Sequence, residues 1–143
     1  MEITLEQIKD IAQESQMGMI VYINKETLEY KTLVDFANPD VDTELWQDDF
    51  DFIHNQWKNF IEIHQMKSWE AFSIMEDFIE VVDDEHSKEE IARVLSRKKP
   101  FAHFKAAVES SRYREAWFKF RDKRTEDYIK EILEEEGIEY QKE

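Results

Sequence analysis

Leu5, Ile8, Ile11 and Ala12 recur at helical spacing just after Thr4, and Gln7 stands three residues beyond that hydroxyl. A hydroxyl followed at this distance by an amide lets each side chain satisfy a backbone N–H at the other's position. Residues 5–15 are therefore predicted as a short amphipathic helix, which Gly18 ends because the residue after a helix often needs positive φ. The apolar period then falls to two. Met19–Ile23 is a continuous run rich in β-branched residues, predicted as a buried strand. Asn24-Lys25-Glu26-Thr27 makes a polar turn. Beyond it Leu28, Tyr30, Thr32 and Val34 alternate with Glu29, Lys31 and Leu33, which predicts the second strand of a hairpin with one mostly wet face. Asp35–Asp51 is a long acidic connection with a weak helical hint over 45–50. A further strand is expected over Trp57–Ile63, where Ile61 and Ile63 flank Glu62.

From Ser68 the helical period returns. Phe72, Met75, Phe78, Ile79 and Val82 share one face and Glu70, Glu76, Asp77 and Glu80 the other. Asp83-Asp84-Glu85-His86 interrupts this helix, and Ser87-Lys88-Glu89-Glu90 is a second capping box, placing Ile91, Val94 and Leu95 inward. Lys98-Lys99-Pro100 ends that helix and Pro100 suits the first position of the next, with Phe101, Phe104, Ala107 and Val108 inward. A longer helix begins near Arg112. Its stripe of Tyr113, Ala116, Trp117 and Phe120 and its later stripe of Ile129, Ile132 and Leu133 lie about a third of a turn apart. Either the helix passes from one neighbour to another or it breaks with Thr125 as a new N-cap. Gly137 closes it, and Ile138-Glu139-Tyr140 adds a last strand or docks. The predicted class is α+β: a small antiparallel sheet of about three strands packed against a C-terminal set of four to five helices. A length of 143 residues suits a single domain, 1–143.

Composition narrows the setting. The chain has no cysteine, so disulfide and thiol chemistry are excluded and a reducing cytoplasm is expected. The N-terminus lacks the basic and apolar regions of a signal peptide, and no apolar run approaches the roughly 20 residues that cross a bilayer. The net charge is −15, but residues 88–124 carry 12 Lys/Arg against 5 Asp/Glu. An acidic surface repels polyanions, and that basic tract qualifies the exclusion locally.

Candidate chemistry is sparse. Asn38, Asp40, Asp42, Glu44 and Asp49 fall on positions 1, 3, 5, 7 and 12 of a notional calcium loop, but Thr43 stands where glycine is needed and Asp49 where a bidentate Glu is needed. A solvated acidic loop is the better reading, and no metal or cofactor is expected. His54, His64, His86 and His103 have no metal-binding spacing. Glu76 and Glu80 share a wet helical face, the wrong environment for acid–base work. With two glycines there is no phosphate loop or nucleophile elbow. No catalytic residue is assigned, and an enzyme ranks third among the readings, since it would need a buried polar cluster that the sequence does not locate. What remains is the basic aromatic tract: Arg97, Lys98, Lys99, Lys105, Arg114, Phe118, Arg121 and Arg124 are the candidate partner-binding residues. Phe118 lies off the apolar stripe and is the informative one if exposed.

The stretch Met75-Glu76-Asp77-Phe78-Ile79-Glu80, then Ser96–Lys105 (SRKKPFAHFK), then Trp117-Phe118-Lys119-Phe120, together with the hairpin VYINKETLEY, resembles the bacterial Uncharacterised Protein Family 0158. The similarity runs from about Gly18 to Gly137. Where that family tends to have a Gly-Lys-Gly-like turn, this chain has Arg97-Lys98-Lys99-Pro100, stiffer and more basic. The resemblance implies a small bacterial cytoplasmic protein with this order of elements and no catalytic residue. The expected function is a non-enzymatic protein-interaction module, self-association included, working through the basic helical surface and not through a membrane. The alternative is a nucleic-acid-associated regulator that binds phosphates with the same surface.

Overall fold

A computed structural model describes residues 1–143, and they form two compact units, 1–65 with 125–143, and 66–124. The class is α+β, with one three-stranded antiparallel sheet and six helices. In the first unit, α1 (Leu5–Gln16) carries the expected cap: the Gln7 N–H donates to Thr4 Oγ1 at 3.1 Å and the Thr4 N–H to Gln7 Oε1 at 2.9 Å. Gly18 follows at φ +83°. Strand β1 (Ile20–Asn24) is central, flanked by β2 (Tyr30–Leu33) and β3 (Phe60–Ile63), with Ile23 opposite both Tyr30 and Ile61.

Alternation along β1 sends side chains to two cores. Val21 and Ile23, with Ile61 and Ile63 of β3, meet Ile8, Ile11 and Ala12 of α1 and Ile129 and Leu133 further along the chain. Ile20, Tyr22 and Leu33 meet Ile53 on the opposite face. Leu33 is thus buried on the face read as wet. The cover is a helix the periodicity reduced to a hint, α2 (Gln47–Asn55), entered through a 3-10 turn at Glu44–Trp46. Two strand boundaries also move. Leu28 belongs to the turn, at φ +62°, where Asn24 Oδ1 accepts the N–H groups of Glu26 and Thr27. Trp57–Asn59 is a 3-10 turn, so β3 starts at Phe60. Ile3 and Tyr140 form a parallel bridge that stitches the two ends of the chain into this unit, and Ile138 and Tyr140 are buried there.

The second unit contains α3 (Ser68–Ile79), α4 (Glu85–Leu95), α5 (Pro100–Glu109) and the first half of α6 (Arg114–Glu135). Phe78 lies at its centre, edge-on to Phe104, Trp117 and Phe120 with ring centroids 5.3 to 6.5 Å apart. Such pairs add about 0.5–1.5 kcal/mol beyond area burial. Helix α4 begins earlier than expected, because its cap is Asp84 and not Ser87. The Asp84 carboxylate accepts both the N–H and the hydroxyl of Ser87, and those two bonds hold its pKa below the ordinary value. The α6 helix is continuous through Thr125. Trp117 and Phe120 serve the second unit's core, Ile129 and Leu133 the first's.

Candidate interaction surface

The α4–α5 corner holds the densest positive charge. Arg97, Lys98 and Lys99 follow one another in the connection, all exposed. Lys99 is left-handed at φ +55°, immediately before Pro100 opens α5. Proline fixes the φ of the first helical residue, so the turn must be made by the residue before it. Lys105 is also exposed and sits one turn beyond Phe101 on α5, on the same face. Neither these three neighbours nor Lys105 has a carboxylate within ion-pair reach.

Phe101 was expected inward and is 42% exposed. Phe104 and Val108 define the buried face of α5, and at 100° per residue Phe101 lies at its margin. There its ring meets that of Phe72 on α3 edge-on, with centroids 6.4 Å apart. One turn before Phe72 on the same face stands Trp69, 69% exposed. Phe72 and Phe101 thus pair ring to ring, with Trp69 one helical turn before Phe72 on α3, Lys105 one turn after Phe101 on α5, and the Arg97–Lys99 run directly before Pro100. Trp69 escaped the sequence reading. It stands three residues before Phe72 and so continues the apolar spacing of α3, and only its place in the first turn of the helix hinted at exposure.

The α6 residues form a different arrangement. Phe118 is only partly exposed and packs on the second unit's core. The guanidinium groups of Arg114 and Arg121 cover its ring, 5.1 and 4.8 Å from the centroid. That stack follows from spacing, since Arg114 and Arg121 flank Phe118 at i−4 and i+3. Arg121 also bonds Asp122 at 3.1 Å. Arg124 Nη1 donates to Asp77 Oδ2 at 2.7 Å and lies over Phe120. Arg112 lies 3.7 Å from Asp83, whose carboxylate accepts the Tyr113 hydroxyl. Of the eight candidate residues, then, Arg97, Lys98, Lys99 and Lys105 share one corner, while Arg114, Phe118, Arg121 and Arg124 are engaged along α6.

The acidic connection is organised by local turns. Asn38 Oδ1 accepts the Asp40 N–H, Asp42 Oδ1 accepts the Glu44 N–H, and Asp49 pairs with Lys31 at 2.6 Å. No three acidic or histidine side chains converge as a metal site would require. No helix is long and apolar enough to cross a membrane.

Comparison with known proteins agrees with the resemblance drawn from the hairpin and the α3–α5 residues. The model of a family described as Uncharacterised protein family (UPF0158) matches residues 8–143. The "UPF0158 protein PA5073" of Pseudomonas aeruginosa is 23% identical over 87 residues, which cover 60% of this chain and 57% of that protein. No solved structure matches.

Proposed function

We propose that this chain, which belongs to the uncharacterised family UPF0158, is a non-enzymatic protein-interaction module of the bacterial cytoplasm whose docking face is the α4–α5 corner. The observation that carries this reading is the exposure of Phe101 and Trp69, on the two helices joined by the Phe72–Phe101 ring pair, together with the exposed Arg97, Lys98, Lys99 and Lys105 of the α4–α5 corner. Interface hot spots combine aromatic anchors with arginine, surrounded by polar groups that are free to pair. The chemistry fits an acidic protein segment with an apolar anchor: the rings take the anchor and the four cations steer its charge. The absence of cysteine suits a reducing compartment. Arg114, Phe118, Arg121 and Arg124 stand second in this reading, because their charge or ring face is already met within the chain. We also propose that residues 1–143 unfold as one domain, since α6 runs unbroken through both units; a single calorimetric transition supports this and two resolved transitions overturn it.

The test of the docking face is affinity capture by the full chain from host lysate, with and without nuclease, repeated for Trp69→Ala/Phe101→Ala and for Lys98→Glu/Lys99→Glu. A discrete acidic protein that survives nuclease, is lost with the aromatic pair and is weakened by the charge reversals supports the reading. Recovery of nucleic acid, with all protein lost after nuclease, overturns it. So does capture unaffected by either double variant.

A further inference from the structure

The first unit carries a helix with apolar residues on both of its faces. Trp46, Phe50 and Ile53, spaced four and three residues apart, pack on the sheet side of α2 and its entry turn. Leu45, Asp48 and Phe52 repeat at three and four residues and share a face turned away from the sheet. On that face Leu45 is 89% exposed and Phe52 is 55% exposed. A single apolar residue on a surface is ordinary. Two of them seven residues apart on one helix face match the anchor spacing of a helix that lies in a partner's groove. The setting is strongly acidic, since residues 35–51 carry seven Asp/Glu and no Lys/Arg. Asp49 is paired with Lys31. Asp48 and Asp51 have no basic partner, and Asp51 accepts only the Gln47 side-chain amide, at 2.9 Å. The second unit offers the inverse. Residues 96–108 contain Arg97, Lys98, Lys99 and Lys105 and no Asp/Glu, and Phe101 stands exposed between Lys99 and Lys105.

We propose that the α2 face of one copy of the chain docks on the α4–α5 corner of a second copy. The inference rests on the corner being a docking face and names what occupies it. The corner suits an acidic segment with an apolar anchor, and α2 presents both on one face: Leu45 and Phe52 as anchors, with Asp48 between them. Charge selects this pairing over the others. The first unit carries 6 Lys/Arg against 22 Asp/Glu, a net charge of −16, and the second carries 13 against 12, a net charge of +1. Two α2 faces brought together meet strong like-charge repulsion, and two basic corners do the same locally. The match lies between unlike units. Each copy has one face of each kind, so the contact is head to tail. Such a contact continues from copy to copy, closing as a ring or extending as a chain.

The experiment is sedimentation velocity of the full chain over a concentration series up to about 0.5 mM, where even weak contacts are populated. The expected result is a mean mass that rises with concentration. Leu45→Ser/Phe52→Ser and Lys98→Glu/Lys99→Glu should each weaken this association by about tenfold or more. The decisive sample is their equimolar mixture. The first variant keeps its basic corner and the second keeps its α2 face, so together they should form a complex of one copy of each that grows no further. A contact of any other geometry does not produce that pattern. Association left intact by either double variant overturns the proposal, as does a mixture that forms no complex. A wild-type chain that stays monomeric throughout, while its capture of a lysate protein still depends on Lys98 and Lys99, overturns this inference alone and leaves the corner to another acidic partner. A monomer whose capture ignores Lys98→Glu/Lys99→Glu overturns both. All four substituted residues are exposed, and circular dichroism of each variant confirms that the fold is retained.

Discussion

Arg124 Nη1 lies 2.7 Å from Asp77 Oδ2, joining the most basic stretch of the chain to the acidic face of α3. The side chains remain 35% and 51% exposed, so solvent screens the pair and its worth is about 0–1 kcal/mol. A double-mutant cycle with Asp77→Asn and Arg124→Gln, read by urea denaturation, should give a coupling energy within that range. Lys98→Glu/Lys99→Glu, which disturbs no internal pair, should leave the midpoint unchanged. A coupling of several kcal/mol would mean that the pair is a keystone of the helical unit.

Lys99 occupies a left-handed backbone conformation at φ +55°. That conformation costs an L-residue about 1–2 kcal/mol, and glycine's extra freedom when unfolded returns about 0.5–1 kcal/mol of the relief. Lys99→Gly should therefore be neutral or stabilising by about 1 kcal/mol, and Lys99→Val should destabilise. Thermal denaturation distinguishes these signs, and a clear loss with glycine would place the strain elsewhere.

The last six residues do structural work. Ile3 exchanges backbone bonds with the C-terminal segment, accepting from Gln141 at 2.7 Å and donating to Glu139 at 3.0 Å. Ile138 and Tyr140 are each 8% exposed in the first core. Truncation after Gly137 removes both side chains and the bridge, and a loss of about 4 kcal/mol or more is expected from large-to-small costs in cores. Equilibrium denaturation measures it. A truncated chain of unchanged stability would contradict the burial.

Tyr22 should titrate late for a tyrosine. Its pKa is pushed up to about 12 by burial and by Glu62 and Asp35, and Tyr30 shifts in the same direction. A raised folded pKa means that the unfolded chain releases its phenolic proton first. The associated stability is fully present below pH 10, the unfolded value, and is lost as pH rises toward 12. Absorbance titration should show a late tyrosinate step near pH 12 that Tyr22→Phe removes. The same variant should flatten the alkaline fall in stability.

Much of the fold is legible in local patterns because local physics sets it. The Thr4–Gln7 cap, the β1–β2 hairpin, Pro100 at the start of α5 and Gly137 at the end of α6 each depend on residues within about four positions. The stack of Arg114 and Arg121 on Phe118 is equally local, although the sequence reading took all three as partner-binding residues. The boundaries that moved were set by competition between neighbours. Asp84 outcompetes Ser87 as a cap because its carboxylate accepts two bonds from that one serine, and Leu28 yields to the Asn24 turn.

Long-range packing decided the rest. Helix α2 has few apolar residues and becomes visible only when Ile53 meets Ile20, Tyr22 and Leu33 across the sheet. The basic tract read as one surface, yet tertiary contacts divide it: Arg124 goes to Asp77, while Arg97, Lys98, Lys99 and Lys105 stay unpaired, and Trp69, which the charge pattern did not single out, stands exposed. Sequence alone determined the α+β class, the family and the concentration of positive charge, because periodicity and composition are properties of the chain. Which charges remain available, and which rings stand exposed, depends on residues tens of positions apart, and only the folded molecule decides that.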